Sequence, residues 1–243
     1  MAFSFDVGPH FNIAGPNITS VAVTSVVVSA GASAVFAGLD WNNPTELTPS
    51  SVQWDVAGVD EALAPQITSA FEGTSDYQTA IYGRLAPKSG TLTMTATWSS
   101  QIARAFMGVM GVSGGSTSSL SKTTSENDGQ SEGQNEPKID ITTQVNASVI
   151  LANFGHRHDA LSSPDVGTEF YDHDATDNDA HAGSYLEKAT LGAQTMAWTL
   201  GTAPSDARWV ATAIEYEILV PIQTLAPTQS QMNSGGMVGR VYI

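Results

Sequence analysis

The residues of this chain best suited to chemistry lie between positions 156 and 181. Four histidines occur there, His156, His158, His173 and His181, among Asp159, Asp165, Glu169, Asp172, Asp174, Asp177 and Asp179. Carboxylates suit Ca2+ or Mg2+, and imidazoles suit Zn2+ or Ni2+. His156 and His158 stand two apart, so on a strand they share a face and could both reach a metal. The run Asp172, Asp174, Asp177, Asp179 is the calcium candidate, although it lacks the glycine and terminal glutamate of an EF-hand loop. A solvated polar loop is the competing reading, and it makes no demand for a cofactor. Ser162 and Ser163 lie beside the same His and Asp residues, but no Gly-x-Ser-x-Gly elbow surrounds them. Glu215 and Glu217 share a strand face, as two glycosidase acids could; charge that blunts an exposed sheet is the simpler account. Aromatic rings can stack on sugars. Trp41 and Tyr171 are the loop aromatics placed for that, ahead of Tyr77 and Tyr82, whereas Trp54, Trp98, Trp198 and Trp209 fall inside alternating strands and read as core.

The elements that must position these groups are strands. Helical periodicity is nearly absent, and short runs of Val, Ile, Thr and aromatics recur between Gly, Pro, Ser and Asn. Residues 91–98 alternate most cleanly, with Leu92, Met94, Ala96 and Trp98 facing a core and four threonines facing away. The run 77–85 precedes them across a Pro-Lys-Ser-Gly turn and is expected to form a hairpin with them. A second hairpin is expected between 194–200 and 208–220. Residues 101–112 read as a strand, with a helix as the competitor. Residues 113–137 are low in complexity and read as a long exposed loop; 155–184 reads as a polar excursion.

The expected architecture is all-β: a two-sheet antiparallel, jelly-roll-like sandwich over residues 19–220. An arm at 1–18 carries Phe3, Phe5 and Phe11, and a tail at 221–243 carries Tyr242. These four aromatics are the candidates for assembly contacts.

Composition narrows the function. The chain has 243 residues, 24 Asp plus Glu against 9 Lys plus Arg, a net charge of -15 and no cysteine. Thiolate catalysis and disulfides are excluded, and no basic patch offers itself to nucleic acid. Charged residues are only 14% of the chain, against the usual quarter, so Ser, Thr, Asn, Gln and Gly must cover the surface. No basic residue precedes an apolar run at the N-terminus, so no signal peptide is expected, and no apolar stretch is long enough for a membrane helix.

The order of these segments resembles a β-sandwich family of phage virion proteins and bacterial surface proteins. The likeness is carried by SAVFAGLDW, by AIYGRLAPKSGTLTMTATWSS at 80–100, by FMGVMGVSG at 106–114, by VILANF, by EFYD at 169–172 and by TMAWTLGTAPSDARWVATAIEYEI at 195–218. It implies a jelly-roll-like sandwich with a structural or adhesive role; the terminal arm and tail, which look like equipment for assembly, favour a structural virion protein of a phage-like particle, in head or tail or as a spike or fibre, working with copies of itself and with other virion proteins and located in the virion or on an extracellular surface. It implies no catalytic residues. The alternatives are a carbohydrate-binding host-adhesion module with a cell-surface glycan as partner and, third, a glycoside-acting or other hydrolase. No cofactor is implied beyond a Ca2+ ion at the acidic run.

Overall fold

The computed structural model describes residues 4–5, 10–43, 47–56, 59–70, 77–129, 137–157, 161–174, 179–200 and 208–219. These form eighteen strands and no helix. In chain order they are β1 (Ser4–Phe5), β2 (His10–Ala14), β3 (Ile18–Val28), β4 (Ala32–Asn42), β5 (Ser51–Val56), β6 (Val59–Ala62), β7 (Ala64–Ala70), β8 (Tyr77–Leu85), β9 (Gly90–Ile102) and β10 (Arg104–Ser113). There follow β11 (Thr124–Gly129), β12 (Lys138–Thr143), β13 (Ser148–Arg157), β14 (Leu161–Pro164), β15 (Thr168–Asp174), β16 (Asp179–Lys188), β17 (Gly192–Leu200) and β18 (Arg208–Glu217).

The all-β, antiparallel sandwich expected from the sequence is present, but it has four sheets where two were expected. One sheet runs β1-β10-β4-β8-β7, with β2 also on β10, and it faces β3-β9-β5-β6. Another runs β11-β18-β13-β16-β15 and faces β12-β17-β14. The two long sheets then pack on each other through a third apolar cluster. The result is a four-layer slab in which both inner sheets are covered on both faces.

Its two halves repeat one plan. The order β2-β10-β4-β8-β7 recurs as β11-β18-β13-β16-β15, and β3-β9-β5 recurs as β12-β17-β14. Even the register recurs. Asp40 pairs with Phe106 and Thr79, and Gly155 in the same place pairs with Val210 and His181. Both halves shift register at one point of the outermost strand, between Pro65 and Ile67 and between Glu169 and Tyr171. Gly90 and Gly192 open corresponding strands at φ 150 and 144, a backbone region that only glycine occupies without strain. Every buried residue of the second core holds the register position of a residue of the first: Ile139 matches Val23, Phe154 matches Leu39, Met196 matches Met94 and Trp209 matches Ala105.

Strand propensity explains the elements; covering explains their pattern. In β9 one face alternates inward, and Met94, Ala96 and Trp98 are buried as expected. Val52 and Trp54 of β5 behave likewise. In β4, β10 and β18 nearly every residue is buried, because sheets lie on both sides. Residues 101–112 are strand on both sides of a bend at Ala103, as the sequence reading preferred.

Both expected hairpins are replaced by crossings. β8 pairs with β4 and β7, while β9 pairs with β3 and β5 in the facing sheet. Likewise β17 pairs with β12 and β14, and β18 with β13 and β11. The chain therefore passes from sheet to sheet at both places, which a turn signal alone does not distinguish from a return along one sheet. The stretch 113–137 supplies β11, and the excursion 155–184 supplies β14, β15 and β16. Low hydrophobicity misleads in β16, where the buried positions include His181, Gly183 and Ser184 beside Ala182.

Candidate functional site

The joint between the two long sheets is greasy at one end and polar at the other. The greasy end uses matched positions: Ala34 and Phe36 of β4 with Val149 and Leu151 of β13, and Met110 and Val112 of β10 with Ile214 and Tyr216 of β18. Phe36 and Tyr216 meet edge to face at 5.1 Å, and the Tyr216 hydroxyl donates to the Ser116 carbonyl at 2.6 Å. Burial pushes the Tyr216 phenol up to about 12, with the charge of Glu217 adding to it.

The polar end gathers Asp40, Thr79, Asn153, Tyr171, His181 and Thr212, all buried. Glycines make room for them. A Cβ on Gly38 would lie 2.6 Å from Asn153 Oδ1, and one on Gly108 would lie 2.2 Å from the Tyr171 ring. Asn153 Nδ2 donates to the Leu39 carbonyl at 3.1 Å and to Thr79 Oγ1 at 2.8 Å. The Tyr171 hydroxyl donates to Asp40 Oδ2 at 3.1 Å and lies against Asn153 Oδ1. Thr79 and Thr212 hydroxyls meet at 3.4 Å. The His181 ring stacks on Phe106 at 3.5 Å, and its Nδ1 stands 3.6 Å from Asp40 Oδ2. A carboxylate and an imidazole from opposite halves thus face each other, sealed from water by sheets on both sides.

The residues named from sequence fare unevenly. Trp41 and Tyr171 are not loop aromatics. Trp41 is a core residue of β4 at 0% exposure and Tyr171 of β15 is at 2%, so neither ring is open to a sugar. Glu215 and Glu217 do not form an open acid pair. Glu215 is buried and accepts the Gln144 and Val145 amides at 2.7 and 3.1 Å, while Glu217 pairs with Lys122 at 2.8 Å. Phe5 packs on Tyr185 of the same chain at 3.9 Å; Phe3 and Tyr242 lie outside the described residues, as does the Phe11 side chain. Of the metal candidates, His158 and Asp177 lie outside the described residues. His156, Asp172, Asp174 and Asp179 have described backbone only, in β13, β15 and β16. Among the described residues no three His, Asp or Glu side chains surround one point. His181, named from sequence as part of a loop, is instead a strand residue at the joint.

Sequence reasoning missed Asp40 and Asn153 because their meaning depends on the opposite half. The internal repeat does leave a trace. Gly90, Thr93, Met94 and Thr97 reappear as Gly192, Thr195, Met196 and Thr199, and Ala32-Ser33 reappears as Ala147-Ser148.

A hollow of about 350 Å³ lies beyond the greasy end, lined by Gly31, Ala32, Ser33, Gly114, Gly115, Thr117 and Leu219. Among the described residues its lining holds no ionisable side chain. Among the described residues no helix is long and apolar enough to cross a membrane. Compared with known families, curated proteins and solved structures, the chain has no match.

Proposed function

We propose that this chain is a structural component of a phage-like particle, in head or tail, built as a tandem pair of jelly-roll-like sandwiches and acting without catalysis. The observation that carries the reading is the duplication. Two copies of one strand plan are fused back to back, so the chain is a block that presents equivalent outer sheets in opposite directions. A block of that kind can be gripped twice by like surfaces, as repeated assembly requires. The sparse charge and the Ser- and Thr-rich outer faces suit a surface covered by neighbours. The family likeness of the sequence points the same way, and the partners it suggests are copies of the chain and other virion proteins. The burial of Trp41 and Tyr171 removes the aromatics on which the glycan-adhesion alternative rested.

Sedimentation velocity and electron microscopy of the full chain at rising concentration test the proposal. We expect discrete, symmetric oligomers, weakened by joint replacement of Phe3 and Phe11 with Ala. A chain that stays monomeric at high concentration, and is absent by mass spectrometry from released particles, would overturn it.

A further inference from the structure

The two halves cross at the ends of their last strands, and the crossing is the same from either side. Gly115 bridges Ile218, and Leu219 N donates to the Gly114 carbonyl at 2.9 Å. The register that sets Val112 against Ala34 in one half and Tyr216 against Val149 in the other makes Gly114 and Gly115 the counterparts of Ile218 and Leu219. Exchanging the halves turns each of these contacts into the other, which is the reciprocity of a two-fold axis. Beyond the crossing, the chain from Gly115 follows the edge of β18. Ser116 N donates to the Glu217 carbonyl and Lys122 N to the Glu215 carbonyl, both at 2.8 Å. Leu120 Cδ2 lies 3.1 Å from where a Cβ on Gly83 would be, and β11 completes the edge from Ile214 to Trp209.

The same axis directs the chain beyond Leu219 along the edge of β10, and the N-terminal arm already holds that edge in the positions of the link. Ser4 stands opposite Ser113, the counterpart of Glu217. Phe5 packs on Tyr185, the counterpart of Gly83. Strand β2 covers Val109 to Ala105, the counterparts of Ala213 and Trp209. Of the arm's described side chains, Ser4, Phe5 and Asn12, none is buried. The chain after Leu219 lies outside the described residues and runs to Ile243, so it is long enough to contain an image of β11. That image falls at 228–233, whose sequence TQSQMN is polar and free of proline like the TSENDG of β11. One edge therefore has two claimants.

We propose that the outer edge of β10 is a strand-exchange site, where residues 220–233 of the tail take the place of arm residues 4–14 and release the arm. The amides and carbonyls of a sheet edge pair with an extended segment through the backbone, with little demand on its side chains. Two segments cannot hold one row of edge groups at once, so arm and tail exclude each other. The released arm carries Phe3, Phe5 and Phe11, an extended segment able to add to the edge of a neighbouring subunit. That use of the arm rests on the particle reading, whereas the exchange itself does not.

Hydrogen exchange read by mass spectrometry, on dilute monomeric chain, tests the exchange. Removing residues 1–14 should leave 105–113 protected and slow exchange in 228–233 at least about tenfold. Removing 220–243 as well should speed exchange in 105–113 at least about tenfold. Free exchange of 228–233 in the chain without its arm overturns the proposal, as does equal protection of 105–113 with and without the tail. If the shortened chains do not fold, the full chain decides. It holds no cysteine, so Ser4→Cys with Ser113→Cys, directly opposed in the ladder, clamps the arm by a disulfide on oxidation. Slower exchange of 228–233 after reduction supports the site, and no change on reduction overturns it. Sedimentation of the wild type is read separately, so a chain that shows the exchange and never assembles would defeat the particle reading alone.

Discussion

The first and second halves of this molecule share a blueprint and differ in where they put bulk. In the first core the tryptophans sit on β4, β5 and β9 as Trp41, Trp54 and Trp98. In the second they sit on β17 and β18 as Trp198 and Trp209, opposite positions where the first half has Ala96 and Ala105. Trp209 pairs across the ladder with His156, while Ala105 pairs with Trp41, so the indole has moved to the partner strand. The lesson is that the plan is kept by strand order, register and total filling, and not by which residue fills a given place. The joint follows the same rule: Gly38 lies under Asn153 and Gly155 under Asp40, each pair joining positions that correspond between the halves, one large and one empty.

The sharpest way to break this equivalence is to empty the second core. Trp198→Ala, which installs the residue that its counterpart Ala96 already is, should destabilise by about 3–5 kcal/mol in chemical denaturation. If it costs little, the cores do not depend on complementary bulk. Next comes the joint. Asn153→Ala strips partners from Thr79 and the Leu39 carbonyl and leaves buried polar atoms unpaired, for a loss of about 1–3 kcal/mol. Coincident transitions of both halves by tryptophan fluorescence and circular dichroism are expected in wild type, and separated ones in this variant. Tyr216→Phe should cost about 1 kcal/mol near neutral pH by removing the bond to Ser116. It also sharpens the comparison by pH. The folded phenol titrates near about 12 and the unfolded one near about 10. Above the unfolded value the unfolded chain therefore holds fewer protons, and stability falls as pH rises from about 10 to 12. Phe at 216 should flatten that part of the curve, although the raised phenol of Tyr82 in the first half leaves a residue of it. Smallest is Lys122→Ala, which removes a half-exposed pair with Glu217 and should move stability by about 1 kcal/mol or less.

How far these features can be read in advance depends on what a signal is local to. Period-two burial in Thr91–Trp98 and the core placement of Trp54, Trp98, Trp198 and Trp209 depend on one strand and its facing sheet, and they stand in the sequence, whereas Trp41 at the end of β4 reads as a loop residue. Which strands pair is not local: the four-residue link between β8 and β9 is as short as a hairpin turn and leads elsewhere. The stretch 155–184 fails as a loop reading because hydrophobicity measures contact with oil, whereas His181 is buried against Asp40 and Phe106 of the other half and Ser184, on the opposite face of β16, is buried against Trp198 of the covering sheet. The polar joint is least legible of all, since Gly38 and Gly108 acquire a purpose only when Asn153 and Tyr171 arrive from the other half.

Those glycine hollows have a mechanical consequence. Asn153 drops into the gap at Gly38, Tyr171 into the gap at Gly108, and Asp40 from the other side into the gap at Gly155. Pegs entering sockets from both directions prevent sliding along the contact plane. A load applied along the slab would be carried by both sandwiches together, and the halves could part only by lifting straight off each other.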